Sequence, residues 1–195
     1  MSLSTYTGLV SAINDWLDRD DLTARAPDFI RLAEARMNRV LDDPEMEISV
    51  TLTGDGAALP DDYGAMVSIG TADGNALAPM SNAEYAAIQP SGGTSRFYTI
   101  REGRVYYVPG AANVTVVYRR SLPPLGASTA TNWLLDRAPD AYLYGSLIQA
   151  EAFLGEDDRL PLWKGAFDEV LVELRADGAR RKWGAGPIAP RIKRT

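Results

Sequence analysis

Apolar residues recur at helical spacing at both ends of the chain, and at strand spacing between them. Tyr6, Leu9, Val10, Ile13, Trp16 and Leu17 share one face of a 3.6-residue period. Ser4 or Thr5 is placed to cap that helix, and the acidic run Asp18, Asp20, Asp21 ends it. A second helix is predicted from Pro27, whose missing N–H costs nothing in a first turn. Phe29, Ile30, Ala33, Met37, Val40 and Leu41 make its stripe. Arg31, Glu34, Arg36 and Arg39 face elsewhere, and Pro44 stops it. Two more helices are predicted late in the chain. Pro139 opens the first, with Leu143, Leu147, Ala150 and Leu154 in line, and Gly155 ends it. Pro161 starts the second, with Leu162, Trp163, Ala166, Phe167, Val170, Leu171 and Leu174 inward, and Asp177-Gly178 is its expected end.

Between these pairs the texture changes. Ile48, Val50 and Leu52 alternate with Ser49, Thr51 and Thr53, the period of a half-buried strand. Residues 66–69 read as a short strand. Residues 96–100 and 104–108 flank Glu102-Gly103, a tight hairpin turn. Pro109-Gly110 leads to a strand over 114–118. Ser81 with Glu84 three residues on forms a capping box for one short helix. Amphipathic helices must bury their stripes against something. The economical arrangement is α+β: mainly a helical bundle of four long helices, residues 1–44 with 133–178, an inserted small antiparallel β unit over 45–132, and an extended basic C-terminal arm over 179–195.

Charge adds a second layer. The last eighteen residues hold six basic side chains and no acidic one, while the first 177 residues carry 14 basic against 26 acidic side chains, a net of −12. Gly184, Gly186, Pro187 and Pro190 oppose helix in this tail, which reads as unstructured until it meets a partner. Composition alone leaves two readings open, an attachment segment and a plain solvated terminus. The acidic body argues against non-specific nucleic-acid binding. No apolar run approaches the roughly 20 residues needed to span a bilayer, and no basic-then-apolar leader opens the chain.

The chain has no cysteine and no histidine, which removes thiolate nucleophiles, Cys/His zinc sites and His-based proton relays. No cofactor motif is present: Gly54-Asp-Gly56 and the glycines at 92 and 93 lack the context of a phosphate loop. The acid pairs Asp20-Asp21, Asp42-Asp43, Asp61-Asp62 and Asp157-Asp158 lie at expected helix ends or loops, where Asp favours caps and turns over metal binding. Gly145 suits close helix packing, and Ser146 beside it lacks a base. Trp133 is expected to anchor the returning linker. Tyr98, Tyr106, Tyr107 and Tyr118 lie near Arg96, Arg101, Arg104, Arg119 and Arg120. Such interleaving suits cross-strand packing, or the stacking of single-stranded bases.

Several stretches, in order, resemble the tailed-phage head-to-tail adaptor (connector) family, a type also used by gene transfer agents. They are Trp16-Leu17 through Leu22, Pro27 through Arg36, Leu59-Pro60-Asp61-Asp62-Tyr63, Asn132-Trp133-Leu134-Leu135, Pro139 through Gly145, and Glu151 through Leu154 with Asp157-Asp158. The resemblance implies a ring, typically of twelve subunits, beneath the portal protein. That ring extends the DNA channel and meets a tail-side neck protein, a stopper or a tube or nozzle component. It implies a virion or phage-like particle neck as the location, assembly in the bacterial cytoplasm, no enzymatic role, no cofactor and no membrane. It assigns portal docking to the basic arm, through Arg180, Arg181, Lys182, Trp183, Arg191, Ile192, Lys193 and Arg194. Two other readings stay beside it. One is a nucleic-acid-binding module using the arm and the Tyr/Arg sheet; the other is a carboxylate-dependent hydrolase at Asp61 and Asp62.

Overall fold

The computed structural model describes residues 3–87, 96–108, 113–155 and 158–184. Helices α1 (Tyr6–Leu17) and α2 (Ala26–Val40) come first. Strands β1 (Glu47–Thr53), β2 (Ala57–Ala58), β3 (Tyr63–Thr71) and β4 (Ala78–Pro79) follow, then helix α3 (Asn82–Ala87). Next are β5 (Phe97–Arg101), β6 (Arg104–Val108) and β7 (Asn113–Arg120). Helices α4 (Trp133–Arg137), α5 (Pro139–Leu154) and α6 (Leu160–Trp183) complete the described chain. It divides into two compact units, Met1–Glu45 with Leu122–Thr195, and Met46–Ser121.

The expected fold class, mainly a four-helix bundle with a small antiparallel insertion and an extended arm, is corrected on three counts. The described residues contain six helices and two sheets, an α+β fold in which strands form a substantial second part. The strands close their own core, with Leu52, Leu59, Ile69, Leu77, Val105, Tyr107, Val114, Val116 and Tyr118 buried together from both sheets. Five of the seven strands fall where the sequence predicts them; β2 and β4, two residues each, are too short to show a period. The β part is also not wholly antiparallel, since β4 pairs parallel to β5. Lastly, the arm begins inside a helix: α6 runs through Gly178 to Trp183, and Gly184, at φ 73°, ends it. Residues 185–195 lie outside the described residues.

In the helical unit, α5 is the element buried on nearly every side, with Ala141, Tyr142, Leu143, Leu147 and Ala150 all inward. Gly145 makes this possible. A Cβ there would stand 2.9 Å from the Phe167 ring of α6 and 3.1 Å from Ala33 Cβ of α2, so three helices meet at that point. Glu34, expected on the outer face of α2, is buried instead. Its carboxylate accepts the Leu125 N–H at 2.8 Å and the Tyr142 hydroxyl at 3.2 Å. Asn132 caps α4 through the Leu135 N–H and donates to Tyr142 Oη and to the Pro123 carbonyl. This polar network seats the returning segment after residue 121. Leu134 and Leu135 are its fully buried anchors; Trp133 is only half-buried, under the Arg137 guanidinium.

In the strand unit, one sheet has the order β1-β7-β3 and the other β2-β6-β5-β4. β1 pairs with β7 in unbroken register from Glu47 opposite Arg119 to Thr53 opposite Asn113. The β5–β6 turn is the expected Glu102-Gly103, both at positive φ. Ser81 and Glu84 form the expected capping box, in which the Glu84 N–H donates to Ser81 Oγ and the Ser81 N–H to the Glu84 carboxylate.

Candidate functional site

The basic residues at the end of α6 were expected to be unattached, and the structure ties two of them down. Asp43, in the segment after α2, presents a carboxylate that is only 4% exposed. Arg137 donates to its Oδ2 at 3.1 Å, and Arg181 donates to the same oxygen. The Glu45 N–H donates to Oδ1 at 2.9 Å. Arg181 also reaches back one turn to Asp177, Nε to Oδ2 3.1 Å. Lys182 Nζ lies 3.4 Å from an Asp42 oxygen, and Arg175 Nε donates to the Val40 carbonyl at 3.0 Å. The last turns of α6 are thus pinned to the end of α2 by a buried anion and its neighbours. A buried carboxylate is tolerated only when paired and hydrogen-bonded, and here two guanidinium groups and a backbone N–H satisfy it.

Gly178 explains why α6 does not stop where its sequence suggests. A Cβ at that position would stand 3.0 Å from the Asp42 carbonyl oxygen and 3.4 Å from Asp43 Oδ2. The glycine permits close approach of α6 to the 42–43 segment, and the ion pairs beyond it repay the helix propensity it lacks. Asp43, Arg137 and Asp177 are members of this cluster that sequence reasoning missed. The available signal was a glycine inside a periodic run together with an adjacent acid pair far away in sequence.

Beyond the pinned residues, Arg180 and Trp183 stand out from the helix, with Trp183 64% exposed. Arg180 pairs with Asp177, at 3.4 Å on the surface. A groove of about 520 Å³ runs beside Arg180, lined also by Arg137, Val170, Glu173, Leu174 and Asp177. Of the eight residues expected to dock the portal, Arg180, Arg181, Lys182 and Trp183 come together on the last turn of α6. Arg191, Ile192, Lys193 and Arg194 lie outside the described residues.

The other candidates have structural occupations. Tyr107 and Tyr118 are buried in the strand core, and Tyr98 packs against it. Tyr106 lies under the Arg101 guanidinium, 4.5 Å from the ring centroid, with Tyr85 against its edge. Tyr118 belongs to one sheet and the other three to the second. An open row of rings for stacking bases is therefore not what these tyrosines form. Asp62 accepts the Tyr118 hydroxyl at 2.7 Å, and burial followed by this hydrogen bond pushes the phenol up to about 12. Asp21 is held by Arg19 through two 2.7 Å bonds. Among the described residues no three carboxylates converge where a metal ion would sit, and no helix is long and apolar enough to cross a membrane.

The family model described as SU10 adaptor protein matches residues 4–191, nearly the whole chain. The chain belongs to the SU10 adaptor protein family, a family of phage adaptors, in keeping with the resemblance carried by its ordered motifs. No curated protein matches it significantly.

Proposed function

We propose that this protein is the head-to-tail adaptor of a phage or phage-like particle. In this reading it forms a ring, of twelve copies by family resemblance, below the portal protein. The ring extends the DNA channel and receives the tail-side neck protein. The observation that carries the reading is the family match over residues 4–191. The role is assembly, completed in the bacterial cytoplasm and retained in the particle neck. Neighbouring subunits close the ring by heterologous contacts, in which different faces of the same chain meet. The basic end of the chain faces the portal. The net charge of −12 over the first 177 residues suits a channel wall along which DNA slides, since a basic lining would bind phosphates.

Imaging of intact particles tests this directly. Symmetric density for this chain immediately below the portal is the expected result, with a lumen lined mainly by acidic and neutral side chains. Density elsewhere in the particle, or an Arg/Lys-lined lumen, would overturn the corresponding part of the reading. DNA affinity of the isolated chain that falls steeply with salt would instead favour a nucleic-acid-binding module.

A further inference from the structure

We infer that Asp43 is the positioning residue of the C-terminal arm: its buried carboxylate clamps Arg181 so that α6 stays helical to Trp183 and presents Arg180 and Trp183 outward as the docking pair. The basic residues at the helix end then divide by role. Arg181 is spent inside the subunit on Asp43 and Asp177, and Lys182 lies against Asp42. Arg180 and Trp183 are well exposed at the rim of this cluster, Arg180 3.4 Å from Asp177 and the Trp183 ring beside the Lys182 ammonium. Trp and Arg are among the side chains most often found to dominate protein–protein affinity, Trp because it buries a large area at low rotamer cost and Arg because its planar fork makes several charge-assisted hydrogen bonds. A pair of this kind on a fixed helical turn fits a protein surface that offers an apolar pocket with a carboxylate at its edge. The cation supplies the charge complementarity and the indole the buried area.

Geometry favours a pre-ordered turn over one that folds on contact. A helix end normally frays because its last carbonyls lack partners. Here the final turns are crosslinked to a different part of the chain at Val40, Asp42 and Asp43, and Gly178 lets the two segments approach to backbone contact. Arg137, from the end of α4, holds the other side of the same Asp43 oxygen at 3.1 Å. Asp43 therefore joins the α2 end, α4 and α6 at one point. The partner assignment rests on the portal-docking reading above; the clamp itself does not.

Two measurements on the full chain separate these statements. Hydrogen exchange at the amides of residues 178–183 reads the clamp. It should be slow in the wild type and in Trp183→Ala, and about tenfold faster or more in Asp43→Asn and Arg181→Gln. Arg181→Lys should restore part of the protection. Arg181→Gln leaves the Arg137–Asp43 pair in place, so it serves even where Asp43→Asn fails to fold. Unchanged exchange in Arg181→Gln would overturn the clamp. Binding to the purified portal protein of the same particle reads the docking pair. Arg180→Gln with Trp183→Ala should weaken binding about tenfold or more with a smaller change in exchange than Arg181→Gln, which should weaken binding together with clearly faster exchange. Wild-type affinity in the Arg180/Trp183 double variant would overturn the docking pair. Absence of portal binding by the wild type would instead sink the portal-docking reading, while exchange still decides the clamp.

Discussion

Glu34 is an ionisable group that α2 turns inward, 5% exposed, with the Leu125 N–H and the Tyr142 hydroxyl as its donors. Burial pushes its carboxyl above the ordinary value of 4.5, and the two hydrogen bonds and the Arg31 charge only partly oppose that shift. A carboxyl raised in the folded state binds its proton more tightly there than in the unfolded chain. Its contribution to stability is therefore complete below pH 4.5 and declines as pH rises through the raised value. Glu34→Gln keeps an acceptor for both donors and removes the charge. Urea titrations should show it gaining on the wild type between pH 4 and pH 7, and a variant that loses ground over that interval would contradict the assignment. Glu34→Leu should destabilise by about 1–3 kcal/mol at either pH, because it strands the Leu125 N–H in the core. In the strand unit Tyr118 plays the matching part. Its hydroxyl donates to Asp62 at 2.7 Å, and Tyr118→Phe should cost about 1 kcal/mol by urea unfolding.

Two glycines in α6 give opposite predictions from the same substitution. Around Gly165 nothing lies within 4 Å of an added Cβ, so Gly165→Ala should stabilise by roughly 0.5–1 kcal/mol through helix propensity alone. At Gly178 the same methyl meets the Asp42 carbonyl oxygen at 3.0 Å. There the change should destabilise and loosen the last turns, and thermal melts of the two variants should move in opposite directions. The pair also shows where the sequence was readable. Local rules sufficed for the Thr5 cap of α1, whose Oγ1 accepts the Gly8 N–H, for Pro27 in the first turn of α2, and for the Ser81–Glu84 box. They also sufficed for Glu102-Gly103, because each of these signals is decided within four residues. Local rules failed at Gly178, where the outcome depends on Asp42 and Asp43, far away in the chain. They failed for the same reason at Glu34, whose partners Leu125 and Tyr142 come from the far side of the strand segment. The candidate docking turn was legible as part of a tail with six cations and no acid over residues 178–195, but the division of its three cations into inward and outward residues was not.

At the scale of the whole chain, Met46–Ser121 has what an independent folding unit needs. Among the described residues its core cluster comes from positions 52–118 of its own segment, and its two ends are neighbours, since Glu47 is paired with Arg119 across β1 and β7. Cutting at 46 and 121 therefore severs the chain beside a strand pair that is already closed, and leaves both sheets with every strand they have. A unit of this size buries only about 60% of its unfolded surface, so its stability alone should be low, about 3–5 kcal/mol. The expected result for a chain of residues 46–121 is a β-type circular dichroism spectrum, dispersed amide resonances and one cooperative urea transition. Tyr118→Phe should shift that transition by the same amount as in the intact protein, because the Asp62 partner travels with the fragment. A fragment that is unfolded without urea would mean that the strand core depends on the helical residues. The two parts would then have to fold together.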